Sequence, residues 1–302
     1  MHNGLGDKHT IHSHHQHLTW DNATLPALTV GPGETVVFEE IDAACGQITP
    51  DSGVDAITNL DFARINPVAG PIYVDGAEPG DSLKVTLLDF APSGWAWTAI
   101  VPGFGLLADE SYFSQPAAMS DIARVPLKPF CGTTGVAHAE PGGHSTIPPY
   151  KSGGNMDIRD LSLGVDLYLP VQVPGALFSI GDPHCAQGDG EVCGTAIESP
   201  MGVTVKLDLV KGESLKFPRF ETKGPVSRHL DGKGYEVTTG IGPDLMEASQ
   251  NAVRGMIERL AQTKGLNADQ AYMLCSVCAD LRISEIVDQP NWVVSCYFPN
   301  IV

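Results

Sequence analysis

The chain reads as mainly β with a smaller α/β part: β-sandwich or barrel-like N-terminal and central regions, then a helix pair near the C-terminus. Three observations predict this. Short alternating segments repeatedly follow Pro/Gly turns, the pattern of sandwiches and barrels. Gly (33) and Pro (23) are plentiful among the 302 residues, while charged residues make up only 18%. Helical periodicity appears only late, from Leu245 onward. The expected division is a His-rich N-terminal tail (1–17), a β-rich region carrying the chemistry (18–210) and an α/β C-terminal region (211–302) packed against it.

Taken in order, the tail holds His2, His9, His12, His14, His15 and His17. Terminal histidines are more often local features than a metal tract. Residues 27–30 read as a strand, Gly31-Pro32-Gly33 as a turn, and residues 34–42 alternate polar and apolar side chains. The same pattern recurs at 78–81 before 82–89, and at 199–202 before 203–210. Asp42 ends one such strand, where either a ligand or a turn-forming Asp would stand. Residues 91–150 are turn-rich, with Trp95 and Trp97 on one face of an extended segment, suited to core or to a pocket wall. Two polar loops follow, one holding Glu140 and His144, the other running Gly153-Gly154-Asn155-Met156-Asp157; they read as site walls or as exposed connectors. Two further strands lie within 164–178, and 211–240 is polar and turn-rich. Leu245, Ala248, Ala252, Met256 and Leu260 then recur at helical spacing, opened by Pro243-Asp244 and closed by Lys264-Gly265. Asn267 and Gln270 have capping-box spacing for a second helix, whose Cys275 and Cys278 suit core packing better than zinc or redox chemistry. The chain from Arg282 to Val294 returns to extended structure.

The formal net charge of -18 argues against nucleic-acid binding and disfavours an anionic membrane. It suits a neutral small substrate. Seven cysteines form no regular framework, no apolar run reaches membrane-span length and no signal-peptide layout opens the chain, so a cytoplasmic protein with reduced thiols is expected. A homo-oligomer is the prior for a soluble enzyme.

Chemistry concentrates in residues 179–198, which run from Ser179-Ile180-Gly181-Asp182-Pro183-His184 through Gln187-Gly188-Asp189-Gly190-Glu191 to Glu198. Neither strand nor helix patterning explains acids and an imidazole here. Asp182 and His184 share a face on an extended segment, a metal-ligand spacing. Glu191 is a carboxylate of the type that activates water beside a metal. The bland reading is a Gly/Asp-rich turn.

This run resembles the signature of the acetamidase/formamidase family. Matching stretches also occur at Gly31-Pro32-Gly33-Glu34-Thr35, residues 66–74, 76–81 and 153–157, and at Asp280-Leu281-Arg282-Ile283 with Val287-Asp288-Gln289-Pro290-Asn291, so the likeness spans roughly residues 17 to 300. It implies hydrolysis of an amide. It also implies an acidic residue at Asp42 and a site role for His17, which stands beside Leu18-Thr19-Trp20.

Amide hydrolysis needs a polarised carbonyl, a nucleophile near neutral pH and a protonated leaving amine. The residues suggest Asp182, His184 and Asp42 as ligands, with His17 a further candidate, leaving an open position on a divalent metal. Oxygen and nitrogen donors are consistent with zinc; calcium and magnesium stay open. Glu191 is the expected general base, with Glu140, Gln187 and Asn155 as further catalytic candidates. The expected substrate is a small linear amide, with lactams a natural extension. No Gly-Gly-Ser-Ser, His-Glu-x-x-His or Gly-x-Ser-x-Gly segment supports a rival mechanism. Two alternatives stand: a non-catalytic metal- or ligand-binding β-barrel, and an amidase using Cys185 as nucleophile, activated by His184.

Overall fold

The computed structural model describes residues 9–110, 117–118, 123–223 and 231–301; His2 of the His-rich stretch lies outside them. We label the main elements in chain order. The first are β1 (His9–Ile11), β2 (Gln16–His17), β3 (Leu28–Val30), β4 (Thr35–Glu40), β5 (Val68–Val74) and β6 (Ser82–Pro92). Then come β7 (Phe130–Val136), β8 (Gly153–Asn155), β9 (Asp166–Pro170), β10 (Phe178–His184), β11 (Met201–Val210) and β12 (Arg219–Glu221). The C-terminal part holds β13 (Tyr235–Gly242), α1 (Leu245–Lys264), α2 (Ala268–Cys278), β14 (Asp280–Glu285) and β15 (Trp292–Pro299).

Two sheets face each other. One runs β1-β4-β11-β6-β9-β12 and the other includes β8-β7-β10-β5-β2, with β3 also paired to β5. The expected alternation holds: Val36 and Phe38 on β4, Leu83, Val85 and Leu87 on β6, and Val203, Val205 and Leu207 on β11 are buried, and the residues between them are partly or fully open. Burying one face of each strand between two sheets is what this period of two allows. Strands β7 and β10 are buried along their whole length, so alternation cannot show there. Phe38 of one sheet meets Phe178 of the other edge to face, ring centroids 6.1 Å apart.

The His-rich stretch is built into this sandwich rather than hanging from it. β1 pairs in parallel with β4, and β2 pairs with β5. Residues 211–240, read as polar and turn-rich, contain β12, which closes the first sheet, and the start of β13.

The C-terminal part packs α1 and α2 against the sheet β13-β15-β14. Its core takes the predicted stripe Ala248, Ala252, Val253, Met256, Ile257 and Leu260, together with the thiols of Cys275, Cys278 and Cys296. The predicted ends of both helices are present. Asp244 caps α1 by accepting from Glu247 N–H at 2.9 Å, Gly265 ends it at φ 67°, and Asn267 with Gln270 forms a reciprocal capping box on α2.

Candidate active site

The site grows from the end of β10. Asp182 stands across from Gly132 of β7, because Cys131 pairs with Pro183 and Thr133 with Gly181. Its φ of 57° breaks the strand's alternation and re-aims its side chain. A glycine at 132 is required. A Cβ there would lie 2.4 Å from Asp157 Oδ1, 2.6 Å from Asp182 Oδ2 and 2.9 Å from His184 Cε1, so these three side chains converge on the space a methyl would take.

His184 is 1% exposed. Its Nε2 lies 3.0 Å from Asp182 Oδ1 and 3.2 Å from Glu198 Oε2. One ring N–H cannot serve both, and the hydrogen bond goes to Asp182, leaving Glu198 Oε2 without one. Glu198 arrives because the chain doubles back after β10. Cys185 N–H donates to Ile197 O at 2.7 Å and Ile197 N–H to Ala186 O at 3.0 Å, which sets Glu198 opposite His184. Two overlapping donor sets result, Asp182–His184–Glu198 and Asp157–His184–Glu191, each with one ligand atom per residue within 4.8 Å of the others.

Burial and crowding set the charges. Burial alone would lower the His184 pKa, but the Glu198 and Asp182 carboxylates outweigh it and hold the imidazole well above its usual range. Burial, then neighbouring Asp157, pushes Glu191 well above the carboxylate range. Burial with Asp182 nearby raises Asp157 to about 7. Like charges this close cannot all ionise without a counter-charge.

Helix α2 holds the loop that carries Glu191. Gly188 N–H donates to Ser276 O at 2.8 Å, and Cys193 N–H to Ser276 Oγ at 3.1 Å. Ser276 Oγ donates to Thr195 O at 2.7 Å, and Tyr272 Oη donates to Val192 O while accepting from Leu107 N–H at 2.8 Å. Arg159, buried two residues beyond Asp157, reaches Asp280 at 2.5 Å and Asp189 at 3.1 Å, tying the site to the start of β14.

Asp182, Glu191, Glu198, Asn66 and Asn155 line a cavity of about 120 Å³, whose other wall is apolar. Thr133 Oγ1 donates to Asn155 Oδ1 at 2.8 Å, and Asn155 Nδ2 donates to Ile147 O at 3.0 Å. Among the expected site residues, the structure thus gathers Asp182, His184, Glu191 and Asn155.

Others are placed differently. Asp42 is fully buried, accepts from Gly46 N–H at 3.2 Å and leaves Oδ2 unpartnered. It belongs to neither donor set, and Glu198 stands as the carboxylate beside His184 instead. His17 has both ring nitrogens engaged: Nδ1 donates to Thr19 O and Nε2 then accepts from Ser179 Oγ, both at 2.8 Å. Burial lowers its pKa, and with both ring nitrogens engaged His17 braces the strand beside Ser179 and stands outside both donor sets. Gln187 Nε2 donates to Asp157 O at 2.8 Å and so steadies that acid from outside the cavity. Glu140 is exposed and away from the cavity, with its carbonyl accepting from His144 Nε2. Cys185 belongs to the main core, with burial raising its thiol pKa, the opposite of an activated nucleophile. Glu198 and the role of Asp157 were missed by spacing alone, and no local signal marks Glu198, because its place beside His184 comes from the return of the chain.

Residues 6–128 and 127–302 match the acetamidase/formamidase family. The chain belongs to the acetamidase/formamidase family. It is similar to a formamidase of Methylophilus methylotrophus, 27% identical, covering 94% of this chain and 88% of that one. Among solved structures it resembles a γ-lactamase from Delftia acidovorans with TM-score 0.86 and 26% identity over 95% of this chain and 89% of that one. It also resembles an acetamidase from Bacillus halodurans with TM-score 0.67 and 29% identity over 96% of this chain and 97% of that one. As an acetamidase/formamidase family member the protein is an amidohydrolase.

Proposed function

We propose that the protein hydrolyses small linear amides of the acetamide and formamide type, and lactams by the same chemistry at the carbonyl, using a divalent cation. The observation that carries this reading is the convergence of Asp182, His184 and Glu198 at the floor of a small cavity that also holds Glu191. The fit to a cation rests on buried atoms without hydrogen-bond partners: His184 Nδ1, Glu198 Oε2 and Asp157 Oδ1. Buried polar atoms are normally paired, so unpaired ones on members of the two donor sets favour an ion. Asp182, His184 and Glu198 would hold it, and their mixed nitrogen and oxygen donors suit zinc. Bound there, the cation would polarise a carbonyl oxygen and lower the pKa of a water.

The chain's own groups supply the rest. Glu191 takes a proton from the attacking water and later delivers it to the departing nitrogen. Asp157 lies beside it, and burial together with their mutual repulsion raises both carboxyls above the usual range, which favours proton uptake by the pair. Asn155, fixed by Thr133 and Ile147, keeps one amide N–H for the substrate carbonyl. Buried free cysteines support a reducing cytoplasm. Apolar Val237 and Ile241, exposed on the outer face of β13, support a homo-oligomer.

Ammonia release from formamide, acetamide and a γ-lactam, before and after chelation with metal restored, tests the reading. Glu191→Gln should lower turnover by about 10²–10⁴-fold while metal content stays unchanged. No ammonia from any amide, with metal firmly bound, would sink it.

A further inference from the structure

The wall facing the acids is as informative as the acids. Phe62, Trp97, Phe104, Ile65, Val101 and Ile147 line the cavity opposite Asp182, Glu191 and Glu198. Phe62 and Phe104 stack with ring centroids 5.4 Å apart and planes within 4°. They remain 44% and 37% exposed, and so form the rim.

Two separate loops build this pair. Phe62 opens a short 3-10 turn capped by Asp61, which accepts from Ala63 N–H at 3.0 Å. Phe104 sits on a turn in which its N–H donates to Val101 O at 3.0 Å. That turn lies directly on the loop carrying Glu191: a Cβ at Gly194 would come within 3.3 Å of Phe104 Cβ. The rim is therefore attached to the catalytic loop. Half-exposed aromatic rings lose hydrophobic stabilisation unless something covers them, and a bound apolar group would do so. Among the described residues, no Lys or Arg lines the cavity, so nothing there would offset a charged substituent.

We propose that Phe62, Trp97 and Phe104 form an acyl-binding subsite that selects neutral amides carrying an apolar acyl group larger than formyl. This rests on the amide-hydrolase reading and adds which amide. The carbonyl lies toward the acids, while the carbon chain lies against the aromatic rim. Each methylene buried there raises kcat/KM about fourfold until the wall is covered. A carboxylate at the far end of the chain abolishes the gain.

The test measures kcat/KM for formamide, acetamide, propionamide, butyramide and succinamate. Equilibrium binding of the same amides to Glu191→Gln is measured alongside. The expected result is a rise from formamide to propionamide in both series, with succinamate below acetamide. Phe104→Ala should cut the propionamide-to-formamide ratio about fivefold or more, and Phe104→Leu should restore most of it. Thermal melting of each variant checks that it is folded. Equal kcat/KM and equal affinity for formamide and propionamide would overturn the subsite while leaving hydrolysis intact. Ordered binding without turnover by the unmutated enzyme would overturn the hydrolase reading while the subsite stands.

Discussion

Four of the seven non-glycine residues with positive φ among the described residues are Asn66, Asp157, Asp182 and Glu191, and all four belong to the site. Such conformations cost about 1–3 kcal/mol each and persist where the surroundings impose them. Here they turn acids off strand and loop alternation and toward one another. Gly132 makes the convergence possible, and Gly132→Ala should lower kcat/KM by about 100-fold or more. Its effect on the melting temperature should be small by comparison, because Asp157 and Asp182 are displaced while the apolar core is untouched. Activity near the unmutated level would show that the acids do not need this approach. Asp182, His184 and Glu191 were legible from residue type and spacing. Glu198 was not, because its proximity to His184 depends on how residues 185–197 return, which no local pattern encodes.

At the scale of elements, α2 matters for catalysis although it contributes no group to the cavity. Ser276 O accepts from Gly188 N–H before Glu191, and Tyr272 and Ser276 bond the backbone after it, at Val192, Cys193 and Thr195. Tyr272→Phe would leave Leu107 N–H and Val192 O without this partner, at a cost of roughly 1–3 kcal/mol. Its kcat should fall more than its KM rises, as steady-state kinetics with denaturant unfolding would reveal; an unchanged kcat would mean the loop holds its shape unaided. A second expectation concerns the turn before β6. Burial opposes the charge of Asp81, but Lys211 Nζ at 2.5 Å and the N–H groups of Gly212 and Glu78, both at 2.9 Å, outweigh it and hold its pKa below the usual range. A carboxyl with a lowered folded-state pKa stabilises the fold above its unfolded value, near 3.9. That stabilisation is lost as pH falls through the folded-state value. Asp81→Asn should therefore destabilise at pH 7 and make little difference well below pH 3, as melting at both pH values would show.

At the scale of the molecule, the site lies where the sandwich and the C-terminal α/β part meet. β10 supplies Asp182 and His184, the following loop supplies Glu191 and Glu198, and α2 with Asp280 clamps that loop. Four carboxyl groups in a largely buried volume repel one another unless positive charge or protons offset them. Chelation should thus lower the melting temperature as well as activity. Binding at 100 times Kd contributes about 2.7 kcal/mol, so a shift of several degrees, reversed by added metal, is expected in calorimetry. Unchanged melting on complete metal removal would argue that protons alone neutralise the cluster.

The sequence by itself determined the β-rich class, the alternating strands β4, β6 and β11, the caps of both helices and the run from Asp182 to Glu191. Each of these is local: a period, a turn residue or a chemical type is enough to announce it. Tertiary structure alone decided that the His-rich stretch pairs into the sandwich, that both ring nitrogens of His17 are engaged and that Glu140 faces solvent. It also decided that Glu198 rather than Asp42 stands beside His184. The physical reason is that a ligand set and a pocket wall are made by residues far apart in the chain. Their distances follow from strand register and loop return, and neither leaves a mark on the order of the amino acids.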